Sequence, residues 1–422
     1  MKKLISLLLV LMMVLSLCAC GAKEEAAPAA TEAPIETEAP VEVSVDEKAA
    51  EAAELFFKAD YEEAYDALCD LEDSENELAL QLLALCRYHG YGCEADPEGA
   101  VELLEPLAEN GSCLANYLMG KASFSGVGAV QNPEKAASCY AAAIEAAGKV
   151  GDDSPLYGCA QFVLADCKGN SRGCEKDVEA AYAAAEIAVN EAGLPPFFAF
   201  ELGNVLTKNA EDRQLMVNAV LGEEGLTLED MKQYLAILKE SETNEDDRKR
   251  MEKYEDVLLK LEVKDKALAM AEQAYAAARD SMQALADEGS IEALKCIGDY
   301  FYYGRGGEAV DYEKAMECYM ECADFDYAPA QAQIALMYQE GQGVEVSYEQ
   351  AMEWNNRAAQ QGNAQGQAQI GYLYHMGLGV TQNLDEAGRW YSRAADQGDE
   401  WAAAKLKETE MTNPQLAFEF HA

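Results

Sequence analysis

Histidine is scarce in this chain. Only three occur in 422 residues, far apart at His89, His375 and His421. Without clustered histidines, neither a histidine-rich zinc site nor a serine–histidine triad has material to be built from. Cys-x-x-Cys pairs are missing as well, so no metal is expected. No phosphate-cradling glycine loop stands between a strand and a helix, so no nucleotide cofactor is expected either. Proline is held to 11 residues in a sequence rich in alanine, which favours helix over sheet and order over disorder. Basic residues are few, with 32 Lys and Arg against 77 Asp and Glu and a formal charge of −45. Such a surface repels phosphate backbones, which excludes nucleic acid as a partner, and it favours neutral or basic partners and a monomeric state.

Long apolar runs are also lacking, apart from one at the start. Met1-Lys2-Lys3 leads into an apolar stretch from Leu4 to Leu17 and then Cys18-Ala19-Cys20-Gly21. At about 1.5 Å per residue this stretch falls well short of a roughly 30 Å hydrocarbon core, so it reads as a secretory signal rather than a span. The segment resembles a lipobox, the signal of bacterial lipoproteins, with Cys20 as the lipidated residue and Cys18 the weaker choice because bulky Leu17 precedes it. The resemblance implies an extracytoplasmic protein that touches the membrane through its lipid anchor only; release into the medium is the alternative. Residues 20–45 carry Pro28, Pro34, Pro40 and a repeated Thr-Glu-Ala-Pro with little apolar bulk. They are expected to form a stalk able to extend roughly 70 Å.

The remainder repeats itself. Ile297-Gly298, Ile334-Ala335 and Ile370-Gly371 are each followed by a Gly-x-Gly, at Gly304, Gly341 and Gly377, and then by Ala315, Ala351 and Ala387, spaced 36 apart. The same period links Ala64, Ala100 and Ala136, with Gly90-Tyr91-Gly92 matched by Gly126-Val127-Gly128. A further unit runs from Tyr157 to Gly193, and a degraded one from Phe197 to about Gly225. Each unit reads as one apolar-periodic helix, a glycine turn and an alanine-rich second helix. The second helix opens on a cap signal, seen at Asp96-Pro97, Asn132-Pro133, Ser347 and Asn383. Tyr338, Tyr374, Trp354 and Trp390 are expected to fill the space between layers.

This pattern is similar to the Sel1-like repeat, a relative of the tetratricopeptide repeat, matched best from Gly362-Asn363-Ala364 through Ile370-Gly371, Tyr374, Gly377, Gly379, Ala387, Trp390-Tyr391 and Gly398. The resemblance implies an all-α, right-handed α-solenoid of about seven helix pairs whose concave face, lined mainly by first helices, holds a protein or peptide. The expected organisation is a signal over residues 1–19, the stalk over 20–45, a repeat block over 46–225, a helical connector over 226–290, a second block over 291–407 and a tail over 408–422. Thr227-Leu228-Glu229-Asp230 reads as a capping box in the connector, and Lys264 to Glu288 as one long helix. The last block is expected to be separable from the first.

Other strings compete with this reading. Gly169-Asn170-Ser171-Arg172-Gly173 satisfies an esterase elbow, which requires a strand-turn-helix that the repeat does not offer. Some cysteine-rich secreted relatives of the repeat family are linked to β-lactam binding, but this chain has no Ser-x-x-Lys and no Lys-Thr-Gly. No enzyme is expected. Capture of an envelope glycan or peptide is the rival binding reading, with Tyr300, Tyr303 and Tyr372 as its aromatics and packing between units as their plainer use. Thirteen cysteines leave an odd number once Cys18 and Cys20 are set aside. Cys86 with Cys93 and Cys167 with Cys174 are each seven apart at equivalent places and are candidate local bridges; the alternative is small buried thiols.

Overall fold

The structure is a computed structural model that describes residues 44–190, 194–240 and 244–412. Cys20, the signal, the stalk up to Val43 and the last ten residues of the tail lie outside the described residues. Among the described residues all regular structure is helical. Four pairs come first: α1 and α2 (Val45–Phe57, Tyr61–Cys69), α3 and α4 (Glu77–His89, Pro97–Glu109), α5 and α6 (Cys113–Ser125, Pro133–Ala147), α7 and α8 (Tyr157–Gly169, Val178–Asn190). Three long or irregular helices follow, α9 (Pro196–Glu224), α10 (Leu228–Glu240) and α11 (Glu245–Asp287). Three further pairs and a closing helix complete the array: α12 and α13 (Ile291–Tyr303, Tyr312–Asp324), α14 and α15 (Ala328–Glu340, Tyr348–Gln360), α16 and α17 (Ala364–Met376, Leu384–Asp396), and α18 (Glu400–Thr412). Seven helix pairs make an α-solenoid.

The cap residues do what their chemistry allows. Asp96, Asn132, Ser347 and Asn383 each accept a backbone N–H from the first turn of the helix they precede. Thr227 and Asp230 bond reciprocally, the capping box that starts α10. The second glycine of the turn serves a different contact. Gly379, at φ +65°, lies so close to Tyr348 that a Cβ would sit 2.8 Å from its side chain and 3.0 Å from its carbonyl carbon. The turn of one pair therefore rests on the start of the previous pair's second helix.

Within a pair, the contact between helices is governed by one residue on each. Gly120, Gly298 and Gly371 lie under the rings of Tyr140, Tyr319 and Tyr391, and a Cβ at Gly371 would come 2.7 Å from Tyr391. Where the first helix carries alanine instead, as at Ala84 and Ala335, the second carries the smaller Leu104 and Asn355. Volume is thus traded across the same contact from pair to pair. Asn355 is fully buried, and neither its Nδ2 nor its Oδ1 has a partner.

Two sequence expectations need correction. Residues 197–225 do not form a degraded helix pair: α9 runs unbroken for 29 residues, because nothing inside it supplies a turn and Gly203 is spent on the ring of Tyr275. The last block is also not free of the first. One continuous core takes in Phe56, Leu82, Phe162, Phe198, Tyr275, Ile297 and Tyr300, and so joins α1 to α12 through α9 and α11. At the far end, Gln131 Nε2 donates to Gln397 Oε1 at 3.0 Å and Gly398 packs on Phe124, so the array comes round on itself. Separate smaller cores lie in the distal half of α9, α10 and the start of α11, on Val217, Met231, Leu235, Tyr254 and Val257, and in the C-terminal pairs, on Tyr319, Ile334 and Met337 and on Ala387, Tyr391 and Ala402.

Gly371→Leu should disrupt folding, since the added side chain must displace the Tyr391 ring, whereas half-buried Gln365→Ala should stay within about 0.5 kcal/mol of neutral. Asn355→Leu, which removes an unpartnered buried amide, should raise stability by about 1–2 kcal/mol in chemical denaturation. A fragment starting at Lys264 loses the Tyr275 and Tyr300 contacts with Phe200, and should unfold at markedly lower denaturant than the full chain.

Candidate functional site

The face expected to bind is the one lined by the first helices. In the first four pairs that face is already occupied. Helix α9 enters behind Pro195-Pro196 and lays two of its three leading aromatic residues across it. Phe197 stacks on His89 with centroids 4.6 Å apart, and Phe198 stacks on Phe162 at 4.4 Å with Tyr117 at its edge. Phe200 turns the other way, to Tyr275 and Tyr300.

Polar groups then fasten this helix to the third pair, and a further set joins α3, α12 and α13. Lys121 Nζ donates to Glu201 Oε1 at 2.6 Å, and the Tyr117 hydroxyl bonds Asp166 at 3.0 Å and the other Glu201 oxygen at 3.3 Å. Arg172 holds Asp166 at 2.8 Å while its guanidinium lies over Tyr140, 5.6 Å from the ring centre. On the C-terminal side, His89 Nδ1 donates to Glu292 Oε2 at 3.1 Å, because an ionised carboxylate can only accept. Lys295 is paired with Asp299 at 2.7 Å, and Tyr319 donates to the same carboxylate at 2.7 Å. Burial works against charge throughout this row. It is outweighed at Glu292, where His89, Lys121 and Lys295 hold the carboxyl down at about 2, and at Lys121, which Glu201 and Glu292 keep protonated well above the ordinary lysine range.

Lys121, Asp166 and Asp299 hold the same register position, five residues before their turn's first glycine or its equivalent. In the second pair the position is filled by fully buried Leu85. In the last two pairs it carries Leu336 and Tyr372, both half-buried. Helices α14 and α16 pack chiefly on their sequence neighbours. Around Tyr372 stand Trp401 at 5.9 Å, half-buried His375 and exposed Met376. This inner-face position carries a paired charge in the third, fourth and fifth pairs and a half-buried apolar residue in the last two.

The other residues singled out in the sequence fall as follows. Tyr300 is fully buried and donates to the Tyr275 carbonyl at 2.8 Å, so it is a packing residue and no ligand aromatic. Tyr303 is partly exposed beneath the Arg305 guanidinium, 4.1 Å from the ring centre. Trp354 and Trp390 are half-buried, each covered by an arginine one turn on, Arg357 and Arg393. Ser171 sits at φ 56° in the turn after α7, with no strand before it, so the esterase string has no elbow. The bridges expected between Cys86 and Cys93 and between Cys167 and Cys174 are not formed in the structure. All four are free thiols, and Cys93 and Cys174 direct their sulfurs at the carbonyl oxygens of Cys86 and Cys167, each 3.5 Å away. No metal-binding group of His, Cys, Asp and Glu occurs among the described residues. Sequence reasoning missed the Lys121–Glu201 and His89–Glu292 pairs. The available signal was the aromatic cluster behind Pro195-Pro196, with no glycine between Gly203 and Gly222 to make a turn.

Comparison with known proteins agrees with this architecture. The Sel1 repeat profile matches residues 77–112, 113–147, 160–183, 297–319, 328–363 and 364–399, which fall on the six pairs from α3/α4 to α16/α17 without α1/α2. Among solved structures, a Sel1 repeat protein from Oxalobacter formigenes is similar at 17% identity and a TM-score of 0.27, over 82% of this chain and 96% of that one. A protective antigen present in uropathogenic Escherichia coli strains, displaying an SLR fold, is similar at 18% identity and a TM-score of 0.31, over 89% of this chain and 83% of that one. No curated protein is matched by this sequence.

The depressed Glu292 carboxyl fixes the sign of a pH effect. Its folded value lies below the ordinary 4.5, so it adds stability above about pH 4.5 and loses it as pH falls towards 2. Urea midpoints should therefore drop between pH 5 and pH 3, and Glu292→Gln should lessen that drop while lowering stability at neutral pH. Equal acid sensitivity in the two proteins would contradict the assignment.

Proposed function

We propose that this chain, which with its six Sel1 repeats belongs to the Sel1-repeat proteins, is a lipid-anchored scaffold of the bacterial envelope that holds a partner protein on the inner face of its last two pairs. Sel1-repeat proteins in general mediate protein–protein interaction, and that much comes with the family. The observation that supports the location is the change at one register position, from Lys121, Asp166 and Asp299 held by neighbouring polar groups to the apolar, half-buried Leu336 and Tyr372. An apolar strip with an aromatic and a methionine suits a partner segment that offers apolar side chains, with basic residues meeting the acidic surroundings. The chain works by binding, without chemistry of its own.

The anchor rests on Leu17-Cys18-Ala19-Cys20 behind the apolar run. No described helix is long and apolar enough to cross a membrane.

A photo-crosslinking residue at position 372 should capture a partner in solubilised envelopes, and the same residue at position 198, under the first pairs, should capture none. Leu336→Glu should abolish capture while leaving the helical signal intact. Cys20→Ala should move the protein from the detergent to the aqueous phase, and unchanged partitioning would overturn the anchor independently of the groove.

A further inference from the structure

Three cysteines lie where the first pair joins the second. Cys69 ends α2, Cys86 lies in the last turn of α3, and Cys93 follows in the turn. Gly92, at φ +68°, presses that turn onto the start of α2, since a Cβ there would lie 2.2 Å from the Tyr61 carbonyl oxygen. Tyr61, Tyr65 and Cys69 recur every four residues and share one face of α2, and the chain leaving Gly92 places Cys93 along it. The Tyr65 hydroxyl interacts with both the Cys69 and the Cys93 thiols, and with Arg87. Cys86 is fully buried, and Cys93 meets its carbonyl oxygen rather than its sulfur. Cys69 and Cys93 are only half-buried, so a small reagent can reach them.

We propose that Cys69 and Cys93, and not Cys86 and Cys93, form the disulfide of this region and so join the first helix pair covalently to the second. With a small disulfide such as oxidised glutathione as oxidant, the Cys93 thiol gives up its proton and its sulfur attacks one glutathione sulfur, expelling the other as thiolate. The Cys69 thiolate then attacks the Cys93 sulfur and expels the second glutathione. Two cysteine thiols are oxidised, one glutathione disulfide is reduced to two thiols, and the two protons released are taken up by the departing thiolates. Burial and the neighbouring Cys69 push the Cys93 thiol up to about 11, against a lowering influence of Arg87, so the reaction speeds up as pH rises. The fourth pair provides an internal comparison. Cys174 has the same place in its turn, but that turn rests on Ala137, Tyr140 and Ala141, none of them a cysteine.

The test is mass spectrometry of non-reduced peptides from the full chain after incubation with oxidised glutathione at about pH 8.5, an alkalinity that raises the thiolate fraction. A Cys69–Cys93 peptide is expected in the wild type and in Cys86→Ser, with a higher Tm than the reduced form in both. Cys69→Ser should show neither, and Cys174 should carry glutathione or remain free. A Cys86–Cys93 peptide in the wild type, or stable glutathione adducts on Cys69 and Cys93 without exchange between them, would overturn the proposal.

Discussion

A helix array of this kind ordinarily leaves the inner face of its first helices to a ligand, and here one stretch of backbone denies it half of that face. The seat of α9, with Phe198 between Phe162 and Tyr117 and Glu201 gripped by Lys121, is the contact on which the rest depends. It turns the first four pairs from a groove into a core. It also sets the position of α11 through Gly203 and Tyr275, and through α11 that of the first C-terminal pair. Breaking it would leave Lys121 without Glu201, and stranded charge costs more than a lost apolar contact of similar size.

The row of charges has a second meaning. In a chain with an excess of 45 negative charges, the few cations would be expected on the surface to relieve repulsion. Lys121, Arg172 and Lys295 are instead turned inwards, each against a carboxylate on another helix or another turn. Other lysines and arginines stay at the surface in exposed pairs, such as Lys149 with Glu145 and Arg357 with Glu353.

Most of the fold could be read from the sequence, and for a physical reason. The helix pairs rest on local chemistry: glycine where φ is positive, asparagine, aspartate or serine where a helix starts, and alanine or glycine wherever a ring must lie close, as Gly371 does beneath Tyr391. Such signals need only neighbouring residues to be legible. The contacts of α9 do not repeat, join residues as distant as His89 and Glu292, and so leave no periodic trace. Phe197 to Glu201 look like part of a worn repeat until the helix is seen to lack a turn. The aromatic candidates divide on the same line. Tyr300 belongs to the long-range core, in line with its plainer reading as a packing residue, whereas Tyr372 is half-buried in the last pair.

The 203 residues between His89 and Glu292 also set a schedule. At about 5–20 residues per second, the first pairs exist for roughly 10–40 s of synthesis before their last inward-facing partner has been made. During that interval Tyr117 and Phe162 are a ready surface for any aromatic or aliphatic segment that passes. The nascent chain is then at its most adhesive, and a factor that holds it until α9 and α12 emerge would guard the same face that the finished protein keeps shut.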